Sequence, residues 1–123
     1  MLPQSKFDVE QAKKLSKIGL PTLEPYLGEL FTWLQDGNWP VARPVASFLR
    51  SLDLLIVPHV RKILQGSDDI WKMWVLCSVV DTEDLVVANA LRDEIERIAK
   101  DPTYGELIEG VQAIAQGISE KLN

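Results

Sequence analysis

The stretch Trp33-Leu34-Gln35-Asp36-Gly37-Asn38-Trp39-Pro40-Val41-Ala42-Arg43-Pro44 ends one helix, turns and starts another within a dozen residues. A looser copy follows at Leu64-Gln65-Gly66-Ser67-Asp68-Asp69-Ile70-Trp71-Lys72-Met73-Trp74. Leu34 and Leu64 stand 30 residues apart, and Val45-Ala46 and Leu76-Cys77 stand 31 apart. A supersecondary unit recurring at a period of this size is the mark of a stacked helical repeat. Each unit buries its apolar face only against its neighbours, and the stack presents an extended surface to other macromolecules.

The remaining composition fits that reading. A chain of 123 residues, 46% hydrophobic and 25% charged, is sized for one domain, 1–123, with a buried core. No apolar run approaches the roughly 20 residues of a membrane span. Met1-Leu2-Pro3-Gln4-Ser5-Lys6 lacks the basic and apolar regions of a secretory leader. One cysteine makes no internal disulfide and no zinc site, so a reducing cytosol is the expected compartment.

Charge is uneven. Residues 1–62 carry 8 Lys and Arg against 6 Asp and Glu, while residues 63–123 carry 5 against 12. An acidic half of this kind repels nucleic acid and attracts basic partners, although most such surfaces serve only solubility.

The periodicity predicts seven helices and no strand. Asp8 and Gln11 form a capping box for the first, whose inner face is Val9, Ala12, Leu15 and Ile18 and whose stop is Gly19. Thr22 is placed to cap the second, with Pro25 in its first turn and Leu23, Leu27, Leu30, Phe31 and Leu34 as its stripe. Asn38 then caps a third helix running to about Leu52, in which Pro44 should kink the axis or hold the first turn open. The fourth spans Leu54 to Gln65 with Pro58 near its start, and Ser67 caps a fifth, Ile70 to Val80, apolar nearly all round and therefore buried. Asp81 and Asp84 box the sixth, and Asp101-Pro102-Thr103 breaks it. The seventh sets Leu107, Val111, Ile114 and Ile118 on one face. Helices two to seven pair into three antiparallel hairpins, an all-α, HEAT-like right-handed stack capped by helix one. The alternative arrangement is an irregular single-core bundle of the same helices.

The inventory for chemistry is thin. His59, the only histidine, has no local carboxylate or nucleophile and reads as structural. Cys77, within Trp74-Val75-Leu76-Cys77-Ser78-Val79-Val80, reads as a small buried hydrophobe. Asp68-Asp69 and Asp81-x-Glu83-Asp84 lack calcium-loop spacing and are explained by helix capping, and no phosphate loop or nucleophile elbow is present, so no cofactor is called for and an enzyme is not expected.

Four tryptophans remain. Trp74 shares a face with Ile70, Met73 and Cys77 and reads as core, and Trp33 is placed to close its hairpin. Trp39 and Trp71 occupy equivalent first-turn positions in consecutive hairpins, where packing between repeats is their ordinary role. Their functional role would be an aromatic pair on one rim, beside Asp36, Asp68 and Asp69, with Asp81, Glu83 and Asp84 extending the acidic surface. These eight residues are the expected contact set for a basic partner protein.

With Val57-Pro58-His59-Val60 and Ile70-Trp71-Lys72-Met73-Trp74 following it, the Trp33 to Pro44 stretch resembles the signature of a family of small, mainly bacterial helical domains of unknown function. Its pattern is W-L-x-D-x-N-W-P-V-A, then I-P-H-[IV], then I-W-K-x-W; Val57 stands where isoleucine is usual. The resemblance implies an all-helical, HEAT-like fold and carries no catalytic residue. Some such families serve as immunity proteins beside toxins. A small, acidic, pre-folded cytosolic chain suits the neutralisation of a basic toxin, a nuclease for instance, because opposite charge speeds capture. A helical scaffold or regulator with an endogenous protein partner is the alternative.

Overall fold

The computed structural model describes residues 1–123. Every regular element is helical, as the periodicity predicts. The expected helices are each shortened, widened or broken, and local chemistry explains most of the breaks.

The first forms in two pieces, α1 (Val9–Lys13) and α2 (Leu15–Ile18), with Asp8 accepting the Gln11 backbone N–H at 3.4 Å. Gly19 closes α2 at φ +62° and ψ −165°, a positive-φ conformation that costs glycine little. Thr22 is not the cap expected of it. The chain enters through a backbone bond from Glu24 N–H to the Pro21 carbonyl, and a 3-10 turn at Glu24–Tyr26 runs into α3 (Leu27–Thr32).

The next helix starts later than Asn38. Asp36 closes the turn instead, its Oδ1 accepting the Asn38 N–H at 2.8 Å, and α4 (Ala42–Arg50) begins only after Trp39-Pro40-Val41 have turned. This shift resolves the difficulty of Pro44. As the third residue of α4 it lacks an N–H that would have no helical partner in any case, and its ring meets no helical carbonyl four residues back.

A second 3-10 turn, Asp53–Ile56, leads into α5 (Val57–Leu64). Asp68, not Ser67, caps α6 (Asp69–Val75), accepting the Trp71 N–H at 3.1 Å. α6 then widens into one π turn, Leu76–Val80, closed by Asp81 N–H on the Leu76 carbonyl at 2.8 Å. The expected box at Asp81 and Asp84 does not form. Asp84 alone takes the Val86 N–H at 3.0 Å ahead of α7 (Val86–Ala90), which breaks at Leu91 before α8 (Arg92–Lys100). Thr103 opens α9 (Tyr104–Ile108), and Gly110 at φ +78° separates it from α10 (Val111–Leu122).

Packing follows chain order. α1 and α2 lie on α4, α3 on α5, α4 on the π turn, the Asp53–Ile56 turn on α7, and α6 and α8 on α10. The buried residues form one connected cluster from Ala12 to Ile118. α6 and its π turn are not apolar-buried all round. Val75, Leu76, Val79 and Val80 face the core, whereas Ile70 and Cys77 are exposed and Met73 and Trp74 only half-buried. No helix is long and apolar enough to cross a membrane.

Candidate functional site

The two tryptophans that hairpin equivalence would pair have different partners. Trp39 meets Trp33 edge to face, ring centroids 6.1 Å apart and planes at 74°, and both pack on the core where the hairpin closes. Trp71 is anchored elsewhere: its Nε1–H donates to the Phe31 carbonyl at 2.9 Å. Phe31 stacks on His59 with centroids 5.8 Å apart, and Phe31, His59, Lys62, Asp68 and Trp71 line a cavity of about 490 Å3. His59 is half-buried there, a flat aromatic shelf rather than a base with a carboxylate behind it.

Most carboxylates of the expected contact set have local partners. Asp36 and Asp84 accept backbone N–H groups in turns, and Asp68 caps α6. Asp81 pairs with Lys121 Nζ at 2.5 Å, and Asp69 with Lys72 at 2.9 Å. Glu83 is exposed with neither ion pair nor hydrogen bond. Most of these carboxylates thus hold turns, helix starts or neighbouring lysines in place.

A buried ion cluster is the feature that sequence reasoning missed. Lys72 and Glu106, 2% and 0% exposed, are the two buried charged residues of the chain. Lys72 Nζ lies 3.0 Å from Glu106 Oε2 and 2.9 Å from Asp69 Oδ1. Arg97 grips both Glu106 oxygens through its two Nη atoms, at 2.5 and 2.7 Å. The Thr103 N–H donates to Glu106 Oε1 at 2.8 Å while Glu106 N–H returns to Thr103 Oγ1, a complete capping box. Burial on its own would raise the Glu106 carboxyl. The Arg97 hydrogen bonds, the Thr103 N–H and Lys72 together outweigh it and hold the group down at about 2. The same contact with Glu106 raises Arg97 above its ordinary value. Two carboxylates and two cations balance, and no buried side-chain polar atom lacks a partner. Gly105 completes the arrangement, since a Cβ there would overlap Asp69 Oδ2. The sequence signal was Thr103-x-x-Glu106, a capping box in the very segment read as a helix break.

Glu106 is also the only buried residue of α9. Its companions point outwards: Tyr104 is 79% exposed, Leu107 54% and Ile108 60%. Leu107 therefore does not continue the Val111, Ile114, Ile118 face; the left-handed Gly110 resets the helix phase between them. Exposed carboxylates stand at both ends, Asp101 before α9 and Glu109 after it, and neither has an ion pair. The neighbouring cations are committed, Arg97 to Glu106 and Lys100 to Glu96 at 2.8 Å.

The face of Trp74 and Cys77 also departs from expectation. Trp74 lies over Gly37 so closely that a Cβ on Gly37 would overlap its benzo ring. Cys77 is at the surface rather than buried, since the π turn directs Leu76, Val79 and Val80 inwards and leaves it outside. Desolvation against its neighbours raises its thiol, so at neutral pH it stays protonated and weakly nucleophilic.

The model of a family described as a domain of unknown function, DUF5071, matches residues 1–119. No curated protein matches the chain.

Proposed function

The chain belongs to the DUF5071 family, and from that premise we propose that it is a non-enzymatic protein-binding module whose docking surface is the outer face of α9. The observation that carries this reading is the inverted polarity of that helix: Tyr104, Leu107 and Ile108 face water while Glu106 is buried. A surface helix ordinarily buries its apolar stripe and exposes its charges. A contiguous exposed apolar group with a polar rim marks an interaction site. The unpaired Asp101 and Glu109 at its ends select a basic partner and favour rapid encounter.

The wider architecture supports the same reading. The all-helical architecture, with α8 packed on α10, α3 on α5 and the Asp53–Ile56 turn on α7, is compatible with a HEAT-like right-handed stack of antiparallel hairpins, an architecture that presents extended binding surfaces. The most concrete form of the proposal is a bacterial immunity protein acting in the cytosol, which occludes a basic toxin through this acidic-rimmed apolar face. Gly105 against Asp69 brings one residue of the expected acidic set beneath that face.

The test is calorimetry with the purified product of the gene immediately upstream, together with growth protection on co-expression. A complex that Leu107→Ser and Ile108→Ser abolish supports the surface and the role. No complex and no protection overturns the immunity role, and binding that survives both substitutions overturns the surface.

A further inference from the structure

α4 and the π turn enclose a groove of about 310 Å3, at the small end of ligand pockets. Buried Leu34, Ala42 and Ala46 give it an apolar lining, and half-buried Trp74 an aromatic one. Arg43 and Arg50 line it too. Seven positions apart, they sit two turns along the same side of α4. No lining residue is acidic. Neither guanidinium has an ion pair, in a chain where 18 Asp and Glu outnumber 13 Lys and Arg. Arg50 spends Nη1 on the Ser78 carbonyl at 2.7 Å, which fixes its side chain across the groove, and Arg43 has no hydrogen-bond partner at all. Arg50 also borders a second cavity with Asp53 and Asp84, but the groove itself sets free Arg43 and the backbone-anchored Arg50 beside an aromatic ring with no carboxylate in its lining.

We propose that this groove binds a small ligand joining a planar ring to an anionic group, the ring against Trp74 and the phosphate or carboxylate held by Arg43 and Arg50. Guanidinium forks match both anions in bidentate geometry, and flat rings stack on indole without demanding one pattern of polar groups. The cavity around His59 offers no comparable preference, since Lys62 and Asp68 line it with opposite charges.

Cys77 lines the same groove and is the only cysteine of the chain, so its modification by an aromatic disulfide reagent reports occupancy. The probes are adenosine 5′-monophosphate, benzoate, adenosine and inorganic phosphate. The nucleotide or benzoate should slow modification at about 1 mM, with adenosine and phosphate each needing roughly tenfold more. A stronger effect of the nucleotide identifies phosphate as the anion, and a stronger effect of benzoate identifies carboxylate. Arg43→Gln, an exposed site without a partner, should weaken protection about tenfold and leave the unfolding midpoint unchanged. Arg50→Gln should weaken it as well. The proposal fails if neither anionic ring protects Cys77, if adenosine or phosphate alone protects equally well, or if Arg43→Gln is protected like the parent chain.

Discussion

The Lys72 ammonium lies 3.0 Å from the Glu106 carboxylate, with their side chains only 3% and 0% exposed. Removing one member of a buried pair leaves the other charge desolvated without compensation. Glu106→Ala strips Lys72 of one carboxylate, Arg97 of its bidentate partner and the Thr103 N–H of its acceptor. The expected loss is about 3–5 kcal/mol, read from the urea midpoint and slope. Lys72→Met removes less, because Glu106 keeps Arg97 and the Thr103 N–H, and should cost less than half as much. Equal losses would mean that the Lys72 contact, not the Arg97 fork, dominates the cluster.

The same carboxylate sets an acid limit to stability. The Glu106 pKa falls from an ordinary 4.5 to about 2 in the folded chain. A folded value below the unfolded one contributes stability that is complete above the unfolded pKa and disappears as pH falls through the folded one. Up to about 3 kcal/mol should therefore be lost between pH 5 and pH 2. Thermal unfolding across that window is the measurement. Glu106→Gln should begin less stable at pH 7 and converge on the parent curve near pH 2, whereas parallel curves would exclude Glu106 as the source of the slope.

Two glycines with opposite surroundings test the packing. Gly37→Ala drives a methyl group into the Trp74 ring and should cost about 1–3 kcal/mol by overpacking. Adding Trp74→Leu should return much of that loss, a coupling that a double-mutant cycle measures. Gly117, within α10, has open space where a Cβ would stand. Gly117→Ala should accordingly raise stability by about 0.5–1 kcal/mol through helix propensity. Destabilisation by Gly117→Ala would show that α10 packs against something at that point.

The legible part of this molecule was the part that periodicity controls. Leu23, Leu27, Leu30, Phe31 and Leu34 lie in the core as their spacing predicts, as do Val45, Phe48 and Leu49. Helix starts were misplaced where several capping residues stood together. Asp68 outcompeted Ser67 because its carboxylate reached the Trp71 N–H, whereas Asp36 held Asn38 in a turn and α4 began only at Ala42 with no side-chain cap. The π turn at Leu76–Val80 has no sequence signature of its own, and by widening the helix it carried Cys77 to the surface. The candidate site was least legible. A carboxylate in a short helix beside Leu107 and Ile108 reads as the solvent face, and only the tertiary approach of Lys72 and Arg97 makes burial of Glu106 affordable.

That inversion gives α9 a property an ordinary surface helix lacks: its apolar side chains can be exchanged without cost to the fold. Exposed positions away from caps and special backbone change stability by about 0.5 kcal/mol or less. Tyr104→Ser, Leu107→Ser and Ile108→Ser combined should therefore move the unfolding free energy by no more than about 1 kcal/mol, since Glu106 and Thr103 still tie the helix down. Binding of a hydrophobic dye to the native protein should fall in the same variant as the apolar group disappears. A loss of several kcal/mol would instead show that these side chains pack against the chain in solution, which would remove the docking face. Retained stability joined to lost partner binding would place the selective value of Tyr104, Leu107 and Ile108 in recognition rather than in folding.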